Sequence, residues 1–208
     1  KQKKQDGNYF DSFIGVDFLY DKRNQRYQTT SGFFSNYSVN MPILSDTNTL
    51  TNTYNYKVFK ELYENNVSTL SILFKGASSL SNDDIKLSER LYIPGKRLRG
   101  FETGKIGPKD GNDFIGGNYV SSINATTTIP TLLENVQSVD VVLFADAANI
   151  WGVDYDSSLD KNGIRSSVGI GIDWLTPVGP LTFSFAHPVT KEPTDIEQTF
   201  RFNIGTSF

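Results

Sequence analysis

Cysteine is absent from the 208 residues, which removes disulfide staples, zinc-finger ligation and thiol catalysis together. Histidine occurs once, as His187 beside Pro188, so a hydroxyl nucleophile has no obvious base. No run of eighteen apolar residues exists, which excludes a membrane-spanning helix and leaves a strand-built membrane protein open. A net charge of −3 gives no general basic field for nucleic acid. Hydrophobic residues make up only 38% of the chain, yet 15 Phe and 10 Tyr raise the aromatic share to 13%. A soluble domain this poor in Leu and Val struggles to fill a core. A barrel with a polar inside and an aromatic outside needs none. The opening Lys1-Gln-Lys-Lys-Gln-Asp-Gly is polar throughout and is not a signal peptide, so an exported protein is expected to carry its leader upstream.

Period-two alternation is the main structural signal. Ile14, Val16, Phe18 and Tyr20 share one face against Gly15 and Asp17, and Phe33, Tyr37, Val39 and Met41 oppose Phe34, Asn36 and Ser38. A third segment, about 53–63, slips phase near Lys60, which suggests a bulge. A fourth sets Leu70, Ile72 and Phe74 against Thr69, Ser71 and Lys75. A weaker, Thr-rich fifth covers 119–129. The sixth, 139–151, places Val141, Leu143 and Ala145 opposite Asp140, Phe144 and Asp146. Val168, Ile170, Ile172 and Trp174 mark the seventh, Leu181, Phe183 and Phe185 the eighth, and Phe200, Phe202, Ile204 and Phe208 the last.

Nine strands of roughly ten residues, each with one apolar face, match what crosses a bilayer at a tilt. The links at 63–66 and 176–179 are short and those at 21–30 and 130–138 modest, whereas 40–52, 77–118, 152–164 and 189–198 are longer and more polar. Short turns on one side and long loops on the other is the arrangement of outer-membrane barrels, with the short turns periplasmic. A soluble β-sandwich shares the alternation. Aromatic residues at strand ends, Tyr20, Trp151, Trp174 and Phe208, favour interfacial girdles and hence the barrel. Of three basic clusters, Lys1-Lys3-Lys4 and Lys22-Arg23-Arg26 read as solvated loop charges; the third is Lys96-Arg97-Arg99.

That third cluster lies in Leu91-Tyr-Ile-Pro-Gly-Lys-Arg-Leu-Arg-Gly-Phe-Glu-Thr-Gly-Lys-Ile-Gly-Pro-Lys109. With Arg99-Gly100-Phe101 and Ile106-Gly107-Pro108 it resembles the long extracellular loop of the BamA family of outer-membrane barrel assembly proteins. Gly116-Gly117-Asn118, Phe144-Ala-Asp146 with Trp151, the hairpin from Gly169 to Pro188 and the ending Phe202-Asn-Ile-Gly-Thr-Ser-Phe208 resemble further motifs of that family in order. The likeness is strong over 91–208 and extends to 1–90 in strand order and length.

The resemblance implies an all-β fold, an antiparallel transmembrane β-barrel of which this chain holds the C-terminal nine strands of an expected sixteen. The loop at about 77–118 would fold back inside as a plug. POTRA domains and the first seven strands are absent from the sequence. It further implies that Arg99 locks the loop to the wall through two parallel hydrogen bonds to Asp146, with Phe144 stacked on the guanidinium and Gly100 allowing a tight turn beside Phe101. Two departures stand out: Ala148 occupies the position of the family's second glycine, and Thr126 stands where relatives usually carry Glu. With that acid gone, the Arg99–Asp146 pair is expected to hold the loop alone. In the last strand, Phe202, Gly205 and Phe208 fall at the seam where first and last strands meet; Gly205 matches a bending glycine and Phe208 a terminal recognition aromatic.

No enzymatic constellation emerges. Asp140, Asp146 and Asp173 read as polar lumen lining, Asp110-Gly-Asn-Asp113 lacks calcium-loop spacing, and no phosphate-cradling glycine motif appears. No metal or cofactor is expected. The implied function is a non-enzymatic insertase in the bacterial outer membrane. Its partners would be unfolded outer-membrane proteins, lipoproteins of the assembly complex and the lipid bilayer, not nucleic acid, with energy from client folding. Two-partner secretion transporters and TamA-like translocation barrels share the Arg-Gly-Phe loop and form one alternative. A passive porin is another, and a soluble carbohydrate-binding sandwich the last.

Overall fold

The structure is a computed structural model that describes residues 8–26, 28–81, 83–129, 138–160, 162–177 and 179–205. Nine long strands build one antiparallel sheet: β1 (Phe13–Asp21), β2 (Gly32–Pro42), β3 (Thr49–Glu61), β4 (Val67–Ser79), β8 (Tyr119–Thr128), β9 (Val139–Trp151), β10 (Arg165–Thr176), β11 (Gly179–Thr190) and β13 (Phe200–Ile204). They pair strictly in chain order, so every strand neighbours its successor. Four short strands, β5 (Gly100–Phe101), β6 (Lys109–Asp110), β7 (Asp113–Phe114) and β12 (Glu197–Gln198), lie in the connections. Among the described residues β1 and β13 are unpaired edges, so the sheet is an open wall of a barrel.

The alternation sorts the wall into two faces, because successive side chains in a strand point to opposite sides. The inner face, which receives the 80–118 connection, carries Asp17, the pair Asn36 and Asn55, and a cross-strand row of Ser71, Asn124, Asp146 and Ser167. The outer face carries Ile14, Phe18, Tyr54, Leu70, Ile123, Leu143, Ile170 and Phe185, all exposed. Aromatic residues collect at both rims. Trp151 lies 5.7 Å from Tyr119 and 6.5 Å from Phe74 at the long-loop end, and Tyr20 lies 5.5 Å from Phe33 at the other. Among the described residues no helix is long and apolar enough to cross a membrane.

Three expectations need correction. First, β3 pairs with β4 without a register shift through Lys60↔Ser68 to Glu61↔Val67, so no bulge exists near Lys60. The apparent slip is where the strand reaches the rim and both faces become polar. Second, the connection between β2 and β3 shrinks to residues 43–48, because both strands extend beyond their apolar runs. Third, a compact apolar core is present. Ile93, Leu98, Phe101 and Ile106 of the 80–118 connection bury themselves against Val120, Ala148 and Ile150 of β8 and β9. The loop brings its own apolar lining to a wall that is otherwise polar.

Candidate functional site

The 80–118 connection is ordered by single 3-10 turns at Leu87–Glu89 and Gly95–Arg97 and by a bridge between Leu91 and Gly117. The second turn delivers Leu98 inward, and Arg99 then meets β9. Arg99 Nε donates to Asp146 Oδ2 at 2.7 Å and its Nη2 to Oδ1 at 2.7 Å, while the Arg99 backbone N–H donates to Oδ2 at 3.1 Å. Asp146 is fully buried and the Arg99 side chain nearly so. The guanidinium carbon stands 3.4 Å from the centroid of Phe144, well inside the reach of about 6 Å of a cation–π contact. The structure thus brings together the residues that sequence reasoning grouped.

Gly100 follows with φ +92°, and a Cβ there would lie 3.3 Å from the Cβ atoms of both Ala186 and Ser167. Only glycine combines this left-handed backbone with so close an approach to the wall. Phe101 is buried in the loop core and pairs through β5 with Glu197 of β12. Ile106-Gly107-Pro108 seats on Ile150, whose Cγ2 stands 2.6 Å from where a Gly107 side chain would begin.

The Arg99–Asp146 pair does not act alone. Asn124, directly opposite Asp146 in β8, donates to Asp146 Oδ1 at 2.9 Å and to the Arg97 carbonyl at 2.8 Å. Arg97 donates to Asn55 Oδ1 at 2.7 Å, to Asn124 Oδ1 at 3.3 Å and to Ser71. Burial pushes the Arg97 guanidinium below its ordinary pKa, an effect the Asp146 charge opposes. Thr126 faces Phe144 one step along and does not join these bonds. The acid missing at that position is compensated by an amide two residues earlier.

Three further arginines tie the connections to the wall, and sequence reasoning found none of them. Arg165, wholly buried at the start of β10, donates through Nε to Asp195 Oδ2 at 3.0 Å and through Nη2 to Oδ1 at 3.3 Å. Asp195 also accepts the backbone N–H groups of Glu192 at 2.7 Å and Gly107 at 3.3 Å, so one carboxylate joins two connections and a strand. Arg201 reaches from β13 to the carbonyls of Gly95 and Phe101. Arg90 pairs with Asp154 and stacks over Tyr155 at 5.0 Å. Burial and the Asp110 carboxylate, which accepts from its hydroxyl at 3.0 Å, push Tyr155 up to about 12.

At the other predicted site, Phe202 lies on the outer face of β13, stacked on Phe183 at 4.8 Å. Gly205 has φ +118° with open space around a Cβ, and its N–H donates to the Pro180 carbonyl at 3.0 Å. Phe208 lies outside the described residues, as does the Lys1-Lys3-Lys4 cluster. The Lys22-Arg23-Arg26 cluster is not merely solvated: Arg23 grips Asp21 at 2.7 Å. His187 is exposed on β11 opposite Val168.

Comparison with known proteins gives a consistent picture. The Omp85 superfamily domain matches residues 1–208. The chain is similar to the outer membrane protein assembly factor BamA of Neisseria meningitidis, 32% identical over 154 residues, covering 60% of this chain and 19% of that protein. It is also similar to that of Nitratidesulfovibrio vulgaris, 28% identical over 220 residues, covering 99% and 27%. A SAM50-like protein of Schizosaccharomyces pombe is 28% identical over 150 residues, covering 67% of this chain and 31% of that one. The crystal structure of BamA from Haemophilus ducreyi lacking POTRA domains 1–3 superimposes with a TM-score of 0.84 at 25% identity, covering 91% of this chain and 41% of that chain. The chain therefore spans between 19% and 31% of the curated relatives named here.

Proposed function

The chain belongs to the Omp85 superfamily, and from that premise we propose that it is part of an insertase that folds β-barrel proteins into the bacterial outer membrane. The observation that carries the reading is the seating of Arg99 between the Asp146 carboxylate and the Phe144 ring. A loop so firmly fixed to the inner face suits a protein that keeps its lumen plugged while its wall does the work, and ill suits free diffusion. Proteins named as assembly factors and as SAM50-like align with the chain, which favours this reading over a secretion transporter.

In this reading the outer face meets lipid, unfolded outer-membrane proteins are the clients, and lipoproteins of an assembly complex are partners. At the seam, the free edge of the last strand β13 offers backbone N–H and C=O groups, and such an edge templates an added strand. The test uses the complete protein in liposomes with its accessory lipoproteins. An unfolded outer-membrane protein is expected to become protease-resistant faster than in empty liposomes, and Arg99→Ala is expected to slow it. No acceleration over empty liposomes sinks the insertase reading.

A further inference from the structure

We infer that the outer face carries a seat for one anionic phospholipid, with an acyl chain lying in a trough over Ala125 and Ala145 and the headgroup at Lys60. Ala125 and Ala145 are direct cross-strand partners in β8 and β9. Their row continues to Leu70 and Val58 on one side and to Val168 on the other. Two adjacent methyl side chains between ridges of Leu and Val leave a depression of about 590 Å³, lined by Val58, Leu70, Ala125, Leu143 and Ala145, with Lys60 at one end. That volume falls within the range of ligand sites.

The row next to it, toward the end of the sheet with the short connections, reads Lys60, Ser68, Thr127 and Leu143. Here the surface changes character. Ser68, Thr127 and the buried Asn66 join in hydrogen bonds of 2.7 to 3.1 Å, a polar patch at the mouth of an apolar trough. Among the described residues the Lys60 ammonium has no carboxylate partner; the neighbouring Glu61 accepts from the Asn65 N–H instead. Lys22, two strands away on the same face, lies over the Tyr20 ring and adds a second cation at this rim. Tyr20, Phe33 and Tyr56 form a tilted aromatic group beside them, as expected where a strand wall passes from hydrocarbon to headgroups.

A depression in a lipid-facing wall is filled by a chain, since an empty one forfeits dispersion contacts along its length. The chain that fills this one has its headgroup beside the Lys60 ammonium, which selects a phosphate-bearing anionic lipid over a zwitterionic one. The inference rests only on the outer face lying in the membrane, not on the insertase reading.

The test is native mass spectrometry of the complete protein released from detergent, titrated separately with dioleoyl phosphatidylglycerol and dioleoyl phosphatidylcholine. The wild type is expected to retain phosphatidylglycerol about fivefold better, the factor one interfacial lysine supplies. Lys60→Gln, at an exposed strand end, is expected to cut that preference at least twofold, and Ala145→Leu to reduce retention of both lipids. Equal retention by the wild type, an unchanged preference in Lys60→Gln, or undiminished retention in Ala145→Leu overturns the seat. A protein that fails to accelerate client folding yet keeps the lipid preference would sink the insertase reading alone.

Discussion

Phe144 rests on Gly169. The two are cross-strand partners in β9 and β10, and a Cβ at Gly169 would lie 2.4 Å from Phe144 Cζ and 2.1 Å from the Phe185 carbonyl oxygen. The missing side chain lets the ring lie down on the wall, and the flat ring is what the Arg99 guanidinium covers. The lock therefore has a floor supplied by β10, which carries neither Arg99 nor Asp146.

Gly169→Ala is expected to lift the Phe144 ring and destabilise the barrel by about 1–3 kcal/mol, the usual cost of overpacking. The check is the temperature at which the complete protein loses its compact mobility on a detergent gel. An unchanged transition would show that the ring has room to move.

Arg99→Ala leaves Asp146 buried without its cation, and breaking such a pair costs about 3–5 kcal/mol. Trypsin cleavage after Lys105 is expected to accelerate by about 150- to 5,000-fold, following that cost. Arg99→Lys is expected to fall between, because an ammonium cannot engage both carboxylate oxygens in parallel. Equal cleavage rates in all three proteins would remove the lock.

Asp195→Ala is expected to be as damaging as any substitution at the predicted lock, since it strands the buried Arg165 and two backbone N–H groups. Denaturation of Asp195→Ala, Arg165→Met and the double variant measures it. The double variant should cost less than the sum of the single ones, and simple additivity would mean that the pair is not coupled.

Acid should loosen the start of the 80–118 connection. Burial raises the Asp154 pKa, but the Ile85 N–H, the Arg90 charge and Asn118 outweigh it, so the folded value lies below the ordinary carboxylate range. A lowered folded pKa gives stability that is present above the unfolded value of about 4 and is lost as pH falls through the folded one. Pepsin susceptibility of the connection is expected to rise below about pH 4 in the wild type. Asp154→Asn should be susceptible at every pH tested, and a parallel pH profile in that variant would refute the assignment.

The wall was legible because its two faces solve opposite problems, lipid outside and a polar interior inside, and period two records that contrast directly. Arg99, Gly100, Phe101, Phe144 and Asp146 were legible because a charged pair, a stacked ring and a turning glycine sit in one recognisable motif. Arg97 was not, since its partners Asn55, Ser71 and Asn124 are neutral residues that any polar lumen contains. Asp195 looked like one acid in a polar loop; its burial depends on Arg165, 30 residues earlier. The loop core escaped notice because Ile93, Leu98 and Ile106 are scattered without period, and only the folded connection gathers them.

Arg201 gives these bonds a thermodynamic consequence. β13 is joined to β11 over five residue pairs, from Leu181↔Ile204 to Phe185↔Phe200, and Arg201 extends that hold to the carbonyls of Gly95 and Phe101. Edge strand and loop are thus linked functions of one equilibrium. Whatever free energy the seated loop lends to β13, β13 must return to the loop in equal measure. A partner that peels the strand away necessarily loosens the loop, and a partner that grips the loop necessarily makes the strand harder to peel.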